Sequence, residues 1–134
     1  MQIAFFEIEP WEEEIIRQQL SDHELFFFEE DLDQKHLPLI SQCEIISVFI
    51  HSQVDRATLE ALPNVRFITT RSTGFNHIDV EAAKEKEIIV SNVPTYGEHT
   101  VAEHTFALIL SLSRNIHKSH VRRLRKDKGK AAVS

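Results

Sequence analysis

Glycine is scarce in this sequence of 134 residues: it occurs only at Gly74, Gly97 and Gly129, never two within a short span. Neither a G-x-G-x-x-G turn nor a P-loop can be written with them, which excludes a recognisable phosphate cradle. Cysteine is scarcer. Cys43 stands alone, so there is no internal disulfide and no multi-cysteine zinc site. No apolar run approaches the ~18 residues a membrane-spanning helix needs. The opening Met1-Gln2-Ile3-Ala4 lacks the basic and apolar regions of a secretory leader, so a cytoplasmic location is expected.

What is present is a soluble, charge-rich composition with an uneven charge distribution. Residues 1–116 carry 8 Lys/Arg against 20 Asp/Glu, whereas residues 117–134 carry 7 Lys/Arg against Asp127 alone. An acidic body does not suggest nucleic-acid binding. The basic end has no aromatic residue for base stacking and is expected to be a disordered, solvated tail.

Apolar runs and helical spacings alternate along the first 95 residues. Residues 3–8, 24–28, 44–50, 65–70 and 88–91 read as strands, the third β-branched and apolar throughout. Residues 11–20, 55–62 and 79–87 read as helices. The first carries Glu12, Glu13 and Glu14 near its start, where the helix dipole favours them. Residues 33–41 read as a short helix or loop. Strands alternating with helices, and apolar along their whole length, argue a parallel sheet covered on both faces. The expectation is an α/β, flavodoxin-like layered domain over residues 1–95.

Residues 98–116 form a long helix whose apolar and small side chains from Val101 to Leu112 go nearly all the way round. A helix apolar on every side is buried on every side. One sheet covers only one face of it, so a second domain or a second subunit is expected to supply the rest. The domain reading is therefore residues 1–95, a linking helix over 96–116, and the tail.

Two loops join the carboxyl end of a strand to a helix, which is where ligands of open α/β sheets bind. In Arg71-Ser-Thr-Gly74-Phe-Asn-His-Ile-Asp79, Gly74 allows a sharp turn that leaves N–H groups free for an anion, and Asp79 is placed to cap the helix. In Asn92-Val-Pro-Thr-Tyr96-Gly97-Glu98, Tyr96 offers a hydroxyl. These segments read either as a carboxylate or phosphate pocket or as ordinary tight turns. The eight histidines do not build a metal site: His99 and His104 are five apart and do not share a helix face. Cys43 has no activating neighbour in sequence and reads as a buried, inert thiol.

The string Arg71-Ser-Thr-Gly-Phe-Asn-His-Ile-Asp-Val80 resembles the substrate-loop signature of the D-isomer-specific 2-hydroxyacid dehydrogenases. Residues 92–97, followed by Thr100-Val-Ala-Glu-His-Thr-Phe-Ala-Leu108, resemble the next block of that family, nearest to its D-lactate dehydrogenase-like branch. The resemblance runs to about residue 125. It implies the first part of a flavodoxin-like substrate domain with its linking helix, the Rossmann NAD domain being absent. It implies that Thr73, Gly74 and Tyr96 bind a small 2-oxo or 2-hydroxy acid, and that Thr100 and Val101 border the nicotinamide of NAD. It also implies a homodimer contact through residues 98–116. The family's arginine, acidic residue and histidine that do the hydride chemistry have no counterpart here, so no catalytic residue is expected. The sequence departs from the family at Lys128-Gly-Lys-Ala-Ala-Val-Ser134, as a truncated or frame-shifted gene would. The expectation is an enzyme portion inactive alone. The alternatives are a stand-alone carboxylate-binding or dimerisation module, or a subunit completed by a separate NAD domain.

Overall fold

The computed structural model describes residues 1–131, with side chains as far as Arg125. The elements are β1 (Gln2–Phe5), α1 (Pro10–Gln19), β2 (Glu24–Phe27), a 3-10 turn (Gln34–His36), β3 (Ile45–Val48), α2 (Arg56–Ala61), β4 (Phe67–Thr70), α3 (Val80–Glu85), β5 (Ile89–Ser91), α4 (Glu98–Ser113) and α5 (Ile116–Ala131). The strands form one sheet in the order β2-β1-β3-β4-β5, and every pairing is parallel. This is the α/β, flavodoxin-like layered arrangement expected from the alternation of strands and helices.

Strand periodicity divides the core into two layers. Ala4, Phe6, Ile46, Val48 and Ile68 face Leu59, Leu62, Ala82 and Ala83 of α2, α3 and their ends. Ile3, Phe5 and Ile8 pack with Ile16 and Leu20 on the other side, under α1. Each layer holds one stacked aromatic pair: Phe5 on Phe27 at 5.2 Å under α1, and Phe6 on Phe28, each just past its strand, at 4.7 Å in the other.

Local chemistry sets the helix ends. Glu9 and Glu12 close a reciprocal capping box at α1, which opens on Pro10. Asp55 accepts from the Thr58 N–H at 2.8 Å, and Asp79 accepts from the Ala82 N–H at 2.8 Å, as its position in the sequence suggested. Glu87 follows α3 in the left-handed region at φ 57°, with its N–H donating to the Lys84 carbonyl. A residue with a Cβ is disfavoured there. Glu87→Gly is expected to stabilise the fold by about 1 kcal/mol and to raise Tm by a few degrees in a thermal melt. An unchanged or lower Tm would show that the strain is compensated elsewhere.

Two compact units emerge, Met1–Pro94 and a second from Thr95 onward. The basic end was expected to be disordered, but Ile116–Ala131 are helical. Lys, Arg, Leu and Ala are good helix formers, and the described side chains of the stretch, Ile116, Val121 and Leu124 included, are exposed. Asn115, at φ 52°, separates α4 from α5. Residues 132–134 of the expected tail lie outside the described residues. No residue of α4 is buried, and Val101, Phe106 and Leu112 are each at least 65% exposed. Among the described residues no helix is long and apolar enough to cross a membrane.

Candidate functional site

In a sheet of this order, strand order reverses between β1 and β3, and ligands are usually taken up at the carboxyl ends of those strands. Here protein groups fill that position. Glu7 leaves β1 in the left-handed region at φ 55°. Its carboxylate accepts from the Phe49 N–H at 3.0 Å, the His51 N–H at 2.8 Å, the Ser52 N–H at 3.1 Å and the Ser52 hydroxyl at 2.6 Å. Burial opposes the charge, but the Ser52 hydroxyl and the three amides outweigh it and hold the carboxyl below its ordinary pKa.

Arg71 closes the same gap from β4. Its guanidinium donates to the Phe6 carbonyl at 2.9 Å, the Glu7 carbonyl at 2.7 Å and the Ser47 hydroxyl at 3.1 Å. It lies 5.7 Å from the centre of the Phe49 ring and 3.8 Å from the Glu12 carboxylate. Burial lowers its pKa while Glu12 and Glu7 oppose the shift. The cation is committed inward and is not presented to a ligand.

The next loops along the sheet edge are differently made. Residues 71–79 after β4 and residues 92–93 after β5 are joined by three hydrogen bonds. The Thr73 hydroxyl donates to the Val93 carbonyl at 2.9 Å, the Asn92 side chain donates to the Thr73 carbonyl at 2.8 Å, and the Val93 N–H donates to the Ser72 carbonyl at 3.0 Å. Beneath them runs a buried polar chain. Ser72 donates to the Gly74 carbonyl at 2.7 Å, so the Thr70 hydroxyl 2.7 Å away must donate to Ser72. His77 Nε2, 3.2 Å from Thr70 Oγ1, must then carry a proton and donate to it. Burial lowers the His77 pKa against the opposing charge of Glu7, which favours the neutral ring in that tautomer. This chain and the bridge of Val54 to Ile78 fix the loop from below.

The fixed loop leaves its upper face open. Thr73, Gly74 and Phe75 are exposed, and among the described residues their N–H groups have no acceptor. Neighbouring free amides at a strand end suit a small anion. Gly74 is not left-handed, and a Cβ built on it would meet only the Asn76 side-chain oxygen at an ordinary 3.5 Å. Its expected backbone freedom is therefore unused. What glycine contributes is an open surface beside the amides.

Of the residues singled out in the sequence, Thr73 and Gly74 come together with Asn92 and Val93. Tyr96, Thr100 and Val101 lie in the second unit, all exposed, with Thr100 and Val101 in the first turn of α4. Sequence reasoning missed Glu7, Ser47, Ser52 and His77. The one available signal was an acidic residue inside an apolar run at Glu7. Cys43 is buried, and desolvation, helped by Glu24, pushes its thiol up to about 11. Among the described residues no three His, Cys, Asp or Glu side chains cluster as metal ligands.

A family model described as D-isomer specific 2-hydroxyacid dehydrogenase, catalytic domain, matches residues 3–127. The 2-hydroxyacid dehydrogenase homolog 1 of Schizosaccharomyces pombe is 37% identical over 126 residues, covering 91% of this chain and 38% of that protein. The D-lactate dehydrogenase of Escherichia coli is 32% identical over 126 residues, again covering 91% of this chain and 38% of its own length. Among solved structures, the D-lactate dehydrogenase from Aquifex aeolicus complexed with NAD and lactic acid superposes with a TM-score of 0.79 at 30% identity, over 98% of this chain and 38% of that one. The chain thus spans less than two-fifths of the length of each of these relatives.

Proposed function

Because the chain belongs to the D-isomer-specific 2-hydroxyacid dehydrogenase family, we propose that it supplies the substrate-carboxylate side of an NAD-dependent dehydrogenase acting on a small 2-oxo acid, of the D-lactate type. The observation that carries this reading is that the Thr73 and Gly74 amides, on a loop fixed from below, have no acceptor among the described residues. The family resemblance assigns Tyr96 to substrate binding and Thr100 and Val101 to the border of the nicotinamide.

By this reading the chain alone transfers no hydride. Reduction of a 2-oxo acid needs a hydride carrier, a cation to polarise the carbonyl and a general acid. The Arg71 cation is spent on main-chain carbonyls, and the His77 proton is spent on Thr70. The described residues do not by themselves fit a dinucleotide either. The strand-reversal point presents the Glu7 carboxylate where a phosphate would need N–H donors, and no glycine turn faces it. NAD therefore supplies the hydride only in a completed enzyme. A cytoplasmic location is part of the same proposal, in keeping with a single buried thiol.

A second reading, a dimerisation module pairing through residues 98–116, is favoured by one observation: α4 has no buried residue. Titration of the isotope-labelled chain with pyruvate separates the two. The substrate reading expects saturable shifts of the Thr73 and Gly74 amides. The dimerisation-module reading expects none. Gly74→Ala is expected to leave Tm unchanged or slightly raised, because its backbone is not left-handed. The same change should weaken pyruvate binding, since the Cβ intrudes on the open surface. Tyr96→Phe should weaken pyruvate binding without affecting Tm. Equal pyruvate affinity in wild type and Gly74→Ala would sink the loop assignment.

A further inference from the structure

Glu7 touches every strand-to-helix loop on the carboxyl edge of the sheet as far as β4. Its N–H donates to the Glu30 carbonyl at 3.0 Å, after β2. Its carboxylate gathers residues 49–52 after β3. Ser52, which donates to that carboxylate, accepts from the Leu32 N–H at 3.0 Å. The Glu7 carbonyl accepts from Arg71 after β4. A residue with a Cβ held at φ 55° is costly and persists where its surroundings over-determine it. At that φ one residue can turn its carboxylate toward one loop and its carbonyl toward another.

Arg71 is the first residue of the loop that carries the free amides. Its own N–H donates to the Val48 carbonyl at 3.0 Å, and its guanidinium is anchored on Glu7 and Phe6. The next residue, Ser72, has both its hydroxyl and its carbonyl engaged. One residue, held at both its hydroxyl and its carbonyl, thus separates Arg71 from Thr73 and Gly74.

We propose that Glu7 is a positioning residue for the anion-binding loop, setting the Thr73 and Gly74 amides through Arg71 although it does not touch the ligand. This rests on the substrate reading given above for what the amides bind, but the coupling itself is a property of the free protein. The charged and titratable groups around Glu7 are Arg71 and, beyond it, Glu12, with His51 and His77 from the neighbouring loops. The test is run at one pH above the ordinary histidine range, where His77, whose pKa burial already lowers, stays neutral with or without the Glu7 charge.

The experiment compares amide spectra of the full chain carrying Glu7→Gln, in the wild-type and in the Arg71→Lys background. In the wild-type background the substitution should shift Phe49, His51 and Ser52 and also Thr73 and Gly74. In the Arg71→Lys background it should still shift residues 49–52 and leave Thr73 and Gly74 in place. A merely structural role would not produce that split. Equal shifts at Thr73 and Gly74 in both backgrounds, or none in either, would overturn the proposal. If Glu7→Gln does not fold, Glu7→Asp keeps the charge and withdraws it by one methylene, and the same split is expected. Pyruvate binding should weaken by roughly 2- to 30-fold in Glu7→Gln, the usual range for a coupled network position. If wild type binds no pyruvate while the split appears, the substrate reading fails and the coupling stands.

Discussion

Phe6→Ala is expected to lower the unfolding free energy by about 3–5 kcal/mol. Phe6 is fully buried at the end of β1, stacked on Phe28 and set edge-on to His36 at 5.2 Å. Its ring belongs to the larger core layer with Ala4, Ile46 and Val48. Main-chain bonds pin its backbone from both sides. Its N–H donates to the Ser47 carbonyl at 2.9 Å, and its carbonyl accepts from Arg71. The backbone cannot follow a shrinking side chain, so truncation leaves a cavity. Domains of this size have about 5–15 kcal/mol to lose, so the loss is a large share of the whole. Urea denaturation reads it as a fall in midpoint at constant slope. A loss below about 1 kcal/mol would mean that the aromatic layer collapses into the space and that the site is looser than it looks.

Arg71→Met should be nearly as damaging, at about 2–3 kcal/mol. Methionine keeps the apolar stem and removes the charged donor. The Phe6 and Glu7 carbonyls and the Ser47 hydroxyl each lose a charge-assisted bond, in a place where water has only partial access. Removing a cation that was itself costly to bury offsets part of the loss. The internal control is Arg17→Met. Arg17 pairs with Glu13 one turn away on α1, with both side chains exposed, and lies over the Phe27 ring at 4.6 Å, contacts worth together about 1 kcal/mol. The two variants measured side by side in urea should differ by at least about 1 kcal/mol. Equal losses would mean that Arg71 is an ordinary surface ion pair and not the closure of the sheet edge.

The parts of this molecule visible in its sequence are those fixed by near neighbours. Ile45, Ile46 and Val48 announce a buried strand because β-branched, apolar residues there have no other good use. Asp79 announces a helix start because its carboxylate needs only the amide three residues on. The Thr73–Gly74 loop was visible as a strand-to-helix turn and through its resemblance to a family signature. Its mechanical support was not, since the Arg71 guanidinium and the Glu7 carbonyl meet across 64 residues. Local pattern also misled at the carboxyl end of the apolar stretch 3–8. The run reads as one strand, yet β1 stops at Phe5 because Glu7 turns left-handed. The basic end misled for the opposite reason. Its charge masks a composition that is good for helices, and α5 forms while its described side chains stay in solvent as the charge suggested.

The strand order also governs how the chain can be made. β2 pairs with β1, β3 with β1, β4 with β3 and β5 with β4, so each strand docks on one already synthesised. Only β1 has to wait for partners still to come, and every later strand is released with a partner already made. Parallel sheets are slow to form when distant segments must find one another, and their unpaired edges invite aggregation. Growth outward from β1, in the order of translation, shortens that exposure to the interval between one strand and the next. Separating β1 from the rest, by circular permutation that places it last, would remove this advantage while leaving the finished sheet the same.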